Sequence, residues 1–164
     1  FVVSSSMQYN TSITFHGILM IFFMIMPILM GGFGNILLPL MLSCTDMIYP
    51  RLNALSLWSS FMSIWLALLG MFVEGGVNAG WTFYVPLSIL NSSSIDAFIF
   101  SLHLAGVSSI LGSINFVGTI IGNVSLLSSL PSSSLFSWSI FFIIIDFFTC
   151  LSCLYYYDYL WSTF

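Results

Sequence analysis

From Ser12 to Leu42 the chain carries a single ionisable side chain, His16, in an otherwise almost wholly apolar run. A helix in water needs a polar face, and this stretch has none to offer. A bilayer accepts it, because about 20 predominantly apolar residues cross the hydrocarbon core. Further apolar runs follow, and spans are expected over about residues 12–42, 52–73, 95–122 and 135–160. Of 164 residues, 59% are hydrophobic and 4% charged. No water-soluble domain of this size could cover its surface with so few charges. The expected fold is all-α, a polytopic membrane protein of about four transmembrane helices. Residues 1–164 read as a single membrane domain, with no internal repeat and no soluble domain.

The charge balance removes other classes. Arg51 is the only basic residue, and the formal charge is −4. Nucleic acid is therefore excluded as a partner, since phosphate neutralisation needs clustered Lys and Arg. Cys44, Cys150 and Cys153 make no disulfide framework; Cys150 and Cys153, in an apolar helix without basic neighbours, read as packing residues. The segment FVVSSSMQYN has neither a basic n-region nor an A-x-A site, so no signal peptide is expected. Such a chain suits synthesis inside an organelle or a bacterium.

Residues His16 to Asn53 concentrate the unusual features. Pro27 removes a backbone donor and should kink the first span, while Gly31, Gly32 and Gly34 permit close approach to its backbone. At about 1.5 Å per residue, a helix from His16 to Pro39 is roughly 35 Å long. His16 is then expected near one membrane face and Asp46, in the turn SCTDMIYPR, at the other. Arg51 beside that turn places it on the inner side. The loop EGGVNAGWTFYVPL has the aromatic, glycine-rich character of an interfacial loop packed on a neighbour. Asn91, Ser92, Ser93, Ser94 and Asp96 supply capping chemistry for the third span.

Each polar residue in the spans has two readings. His16 is either a metal-ligating imidazole or a histidine satisfied inside a helix bundle. Asp46 and Asn53 are common turn and capping residues as well as candidate proton carriers. Ser101, Ser108, Ser109 and Asn115 recur at steps of seven or eight and share one helix face with Gly112. That stripe is either small-residue helix packing or the wall of a water-filled proton path. His103 lies off the stripe and is expected to be hydrogen-bonded within the bundle. Asp146 must face another helix, and no function suggests itself.

Longer matches then narrow the choice. HGILMIFFMIMPILMGGFGN, with LPLM, Asp46 and PRLN after it, resembles the second transmembrane segment and following turn of cytochrome c oxidase subunit I. FVEGGVNAGWTFYVPL resembles that subunit's next outer loop. IDAFIFSLHLAGVSSILGSINF resembles its fourth segment, and LFSW the fifth. The resemblance implies an all-α chain forming part of the twelve-helix heme–copper oxidase bundle. It implies that His16 is an axial ligand of the low-spin heme a and that Tyr9 contacts a heme a propionate. Trp81 would reach a propionate of the high-spin heme a3, its indole N–H donating to the carboxylate. Asp46 would stand at the mouth of the D proton pathway, with Asn35 and Asn53 just inside and Ser108 and Ser109 further up. On these matches the serine stripe becomes a proton path.

The departures from the family matter equally. The glutamate ending the D pathway, the copper-ligating histidines with their cross-linked tyrosine and the second heme a histidine have no counterpart here. With two histidines in all, this chain cannot build a heme–copper centre, and copper B and heme a3 would be contacted at most peripherally. The resemblance thus implies a piece of subunit I, either the product of a split gene, the favoured reading, or a part of a longer chain. It would lie in the mitochondrial inner membrane with chains carrying the remaining helices and with subunits II and III. The complex would reduce oxygen to water with electrons from cytochrome c, and pump protons, so the chain is part of an enzyme without being catalytic alone. Two other readings stay open: a quinol-oxidising relative, and a structural membrane subunit without cofactor.

Overall fold

The computed structural model describes residues 6–73, 76–84, 92–127 and 134–146, excluding the side chains of 92–93 and 123–127. Among these, all regular structure is helical. Helix α1 is Ser6–Met41, α2 is Pro50–Phe72, α3 is Ser92–Leu127 and α4 is Leu135–Asp146. The first two, and α3 over Ser94–Gly122, are long and apolar enough to cross a membrane. Residues 147–164, with Cys150 and Cys153, lie outside the described residues, as does Asn91.

Helix α1 changes its winding near the proline. It is α-helical over Ser6–Ile18, π-helical over Leu19–Ile25 and Pro27–Gly34, then α-helical again from Asn35. The Met26 N–H donates to the Ile21 carbonyl, five residues back. Proline cannot donate, and its ring crowds the carbonyl one turn earlier; wider turns relieve that crowding. The expected disturbance at Pro27 is thus a change of pitch. Gly31 and Gly32 have open space where a Cβ would project.

The chain divides into two compact units, one running up to Leu29 and resuming at Leu57–Ser108, the other Met30–Ser56 with Ser109 onward. The first unit is centred on Ile18, Ala67, Val77, Ala79, Ile95 and Phe98. There α2 and α3 are joined by a reciprocal pair: Ser63 Oγ donates to the Ser101 carbonyl at 2.7 Å, and Ser101 Oγ to the Ser63 carbonyl at 2.8 Å. Both serines are fully buried. Ser101 therefore belongs to helix packing, in the sense the small-residue reading of the stripe expects.

The second unit is centred on Leu38, Met47, Phe116, Ile120, Ile140 and Ile144. The turn after α1 is docked on α3 by backbone donors. The Tyr49 N–H donates to Asn115 Oδ1 at 3.0 Å and the Ile48 N–H to Thr119 Oγ1 at 3.3 Å. Gly118 and Gly122 leave room for the Tyr49 ring and the Ile48 side chain. Asn115, at the far end of the serine stripe, is thereby engaged in holding this turn.

Most apolar surface faces outward. Only 11%, 17% and 22% of the most apolar windows of α1, α2 and α3 are buried within the chain. In water this would be untenable, whereas lipid or further helices cover such faces without cost. Asp146 is exposed at the end of α4.

Glycine at the base of the loop after α2 is a steric requirement at position 76. Gly76 has φ +80°, and a Cβ there would meet the Thr11 methyl and lie 2.9 Å from the Met71 carbonyl oxygen. Gly80 has φ +74° but open space around it. Gly76→Ala should therefore cost about 2–4 kcal/mol, and Gly80→Ala only the conformational part, about 1 kcal/mol. Thermal unfolding of the purified protein checks this; equal midpoints for the two variants would refute it.

Candidate functional site

Helix α1 has two faces in the first unit. Thr11, Thr14 and Ile18 are buried, at the three- and four-residue steps of one helix face. Tyr9, Ile13 and His16 are exposed, also at steps of four and three. His16 and Tyr9 thus occupy one outward stripe, two turns apart, with apolar Ile13 between them. The imidazole is directed away from the chain's own core. His103 is hydrogen-bonded within the chain: its Nδ1 lies 2.8 Å from the Ile99 carbonyl oxygen. A carbonyl only accepts, so this Nδ1 carries the proton.

The loop of residues 76–84 brings Trp81 to the same end of α1. Val77, Ala79 and Phe98 anchor it in the core, and Phe83 packs on Phe98 with ring centroids 6.0 Å apart. Phe83 adopts φ 49°, a conformation aromatic residues rarely take. Its N–H donates to the Gly80 carbonyl at 3.3 Å, closing a turn with Trp81 and Thr82 at its centre. Trp81 then lies against Gly17: a Cβ on Gly17 would stand 3.2 Å from that of Trp81. Gly17 is the residue next to His16, so histidine and tryptophan flank one point on the helix. Trp81 is 55% exposed, which leaves much of its indole available to a ligand.

Of the candidate proton carriers, Asn35 and Asn53 meet in the second unit. Asn35 Nδ2 donates to Asn53 Oδ1 at 3.3 Å and to the Gly31 carbonyl at 2.8 Å. Both amide protons are then used, while Asn35 Oδ1 is buried with no hydrogen-bond partner. A buried carbonyl oxygen in this position calls for a donor, and a water molecule is the natural one. Asp46 is exposed in the turn held by Asn115 and Thr119. Asn115, part of the stripe singled out in the sequence, is fully buried, and its Nδ2 likewise has no partner. Ser108 and Ser109 are half-buried on α3; Ser109 belongs to the unit with Asp46, and Ser108 to the other. Cys44, in the same turn as Asp46, gives its thiol to the Leu42 carbonyl at 3.4 Å, and burial pushes its pKa up.

Among the described residues no three of His, Cys, Asp and Glu converge on a point that could hold a metal ion. The residues present do fit a planar apolar group approached from outside. A single outward imidazole lies on an apolar stripe, with tyrosine along it and tryptophan beside it. Such a group would take one ligand here and need its second from elsewhere.

A sequence profile of the family described as cytochrome c and quinol oxidase polypeptide I matches residues 2–163. Over 145 residues the chain is 46% identical to cytochrome c oxidase subunit 1 of Yarrowia lipolytica, covering 87% of this chain and 27% of that protein. Against the same subunit of Eremothecium gossypii it is 45% identical over 135 residues, 80% of this chain and 25% of that one. Against that of Mytilus edulis the identity is 48% over 120 residues, 71% and 22% of the two chains. The chain thus spans about a quarter of the length of these curated relatives.

Proposed function

The chain belongs to the cytochrome c and quinol oxidase polypeptide I family, and from that membership we propose that it forms one part of subunit I of a cytochrome c oxidase. In this reading it lies in the mitochondrial inner membrane as a single multi-pass domain. Chains or segments with the remaining helices pack around it, together with subunits II and III. The complex takes electrons from cytochrome c, reduces oxygen to water and pumps protons.

His16 would supply an imidazole ligand to the iron of the low-spin heme a. The observation that carries this is its outward imidazole on the Tyr9–Ile13–His16 stripe, beside the Gly17–Trp81 contact. When bound, heme a accepts and passes on single electrons. Toward it, His16 must be neutral and oriented, which a rigid helix position favours. Trp81 would donate from its indole N–H to a propionate of heme a3, and Tyr9 would donate to a propionate of heme a. Copper B would be contacted at most peripherally.

Protons enter at Asp46, where an exposed carboxylate collects them from the inner aqueous phase. They continue along water held by Asn35 and Asn53, and then by Ser108 and Ser109. The buried, unpartnered Asn35 Oδ1 supports this, since it is an acceptor with room in its hydrogen-bonding for a bound water. Asparagine and serine suit the role because each both donates and accepts without binding the proton permanently.

The test is isolation of the complex through an affinity tag on this chain. Low-spin and high-spin heme absorption, bound copper and oxygen uptake with reduced cytochrome c are expected together. A complex without heme would refute the reading, and uptake with quinol in place of cytochrome c would assign the chain to the quinol-oxidising branch.

A further inference from the structure

We propose that Thr14 is a positioning residue for the His16 site, acting through the loop of residues 76–84 that carries Trp81. A threonine hydroxyl has one proton and two acceptor positions. The Thr14 proton goes to the Asn10 carbonyl, 2.8 Å away within the helix. The oxygen can then only accept toward the loop, and the Gly80 N–H donates to it at 3.0 Å. Gly80 is the first corner of the turn that holds Trp81, closed by the Phe83 N–H on the Gly80 carbonyl. Thr14 is 1% exposed, so water cannot substitute for the hydroxyl.

Neighbouring contacts set the loop's height on the helix. Thr11 Oγ1 donates to Asn78 Oδ1 at 2.6 Å, and Gly76 fits over Thr11 with no room for a Cβ. One turn beyond Thr14, Gly17 receives Trp81. Thr11, Thr14 and Gly17 therefore form one edge of α1 that aligns the loop. His16, between Thr14 and Gly17 in sequence, faces out from the adjoining stripe. Releasing the Gly80 corner lets Trp81 move on Gly17 and alters what surrounds the imidazole.

The first readout needs no heme, while the second rests on the low-spin heme reading given above. In the assembled complex, hydrogen exchange at the Gly80 amide should be ~10-fold faster in Thr14→Val and return to the wild-type rate in Thr14→Ser. The reduced low-spin heme band and its midpoint potential should shift in Thr14→Val and return with serine. Wild-type exchange in Thr14→Val would overturn the proposal. So would faster exchange with an unmoved band and potential, since Thr14 would then be structural only. If Thr14→Val fails to assemble, Gly17→Ala tests the same contact from the other side. Its methyl crowds Trp81 while leaving the Gly80 bond intact, so exchange should stay slow and the band should move. An unmoved band in that variant overturns the proposal. A band that survives His16→Ala refutes the heme reading by itself, and Gly80 exchange then decides the role of Thr14.

Discussion

In the complex purified from a His16→Ala strain, the reduced low-spin heme band should fall to less than about a tenth of its wild-type amplitude. Removing an outer partner of a metal ligand already costs ~10- to 100-fold in affinity, and removing the ligand costs at least that. A low-spin heme iron needs two strong axial ligands, and His16 is the one histidine of this chain on an outward face. His103 cannot take over, because its Nδ1 is engaged with the Ile99 carbonyl and it lies on a different helix. His16 makes no part of either hydrophobic centre, so the fold should survive the substitution. A band of unchanged height and position would remove the heme assignment and revive the reading of a structural subunit.

Asp46→Asn should slow proton uptake by at least about tenfold while leaving the heme spectra normal. The substitution keeps the shape of the side chain, exchanges one acceptor oxygen for an amide donor, and removes the charge together with the ability to take up and release a proton. The turn itself is held by the Tyr49 and Ile48 backbone donors on Asn115 and Thr119, none of which involves Asp46. A structural explanation for lost turnover is thereby weakened in advance. Flow-flash measurement of proton uptake, with proton-to-electron stoichiometry in vesicles, checks the outcome. Undiminished uptake would mean that protons enter elsewhere and that Asp46 is an ordinary solvated turn residue.

The serine stripe shows where reading along one helix reached its limit. Periodicity put Ser101, Ser108, Ser109 and Asn115 on one face, and it could not say what each would meet. Ser101 meets Ser63 and is buried helix packing, whereas Asn115 receives the backbone of the turn beside Asp46. The partners lie 38 and 66 residues away, distances at which sequence pattern carries no information. The same holds for Gly17, which no motif distinguishes from the glycines at 31 and 32. One has Trp81 against it and the other two face open space. Asn35 and Asn53 were legible as candidates from the resemblance, but their mutual hydrogen bond required the turn between α1 and α2 to bring them together.

Class was decided by the sequence alone. With 4% charged residues and apolar runs of spanning length, every backbone polar group must be satisfied within its own segment, and only helices do so for such runs. The identity of the candidate residues was legible too, because family motifs are local strings of side chains. Which of them face the chain's own core and which face outward was not. That depends on the rotation of α1, and its change of pitch near Pro27 shifts which residues share a face beyond that point. Tertiary packing decided it for His16 by burying Thr11, Thr14 and Ile18, which turns the imidazole outward.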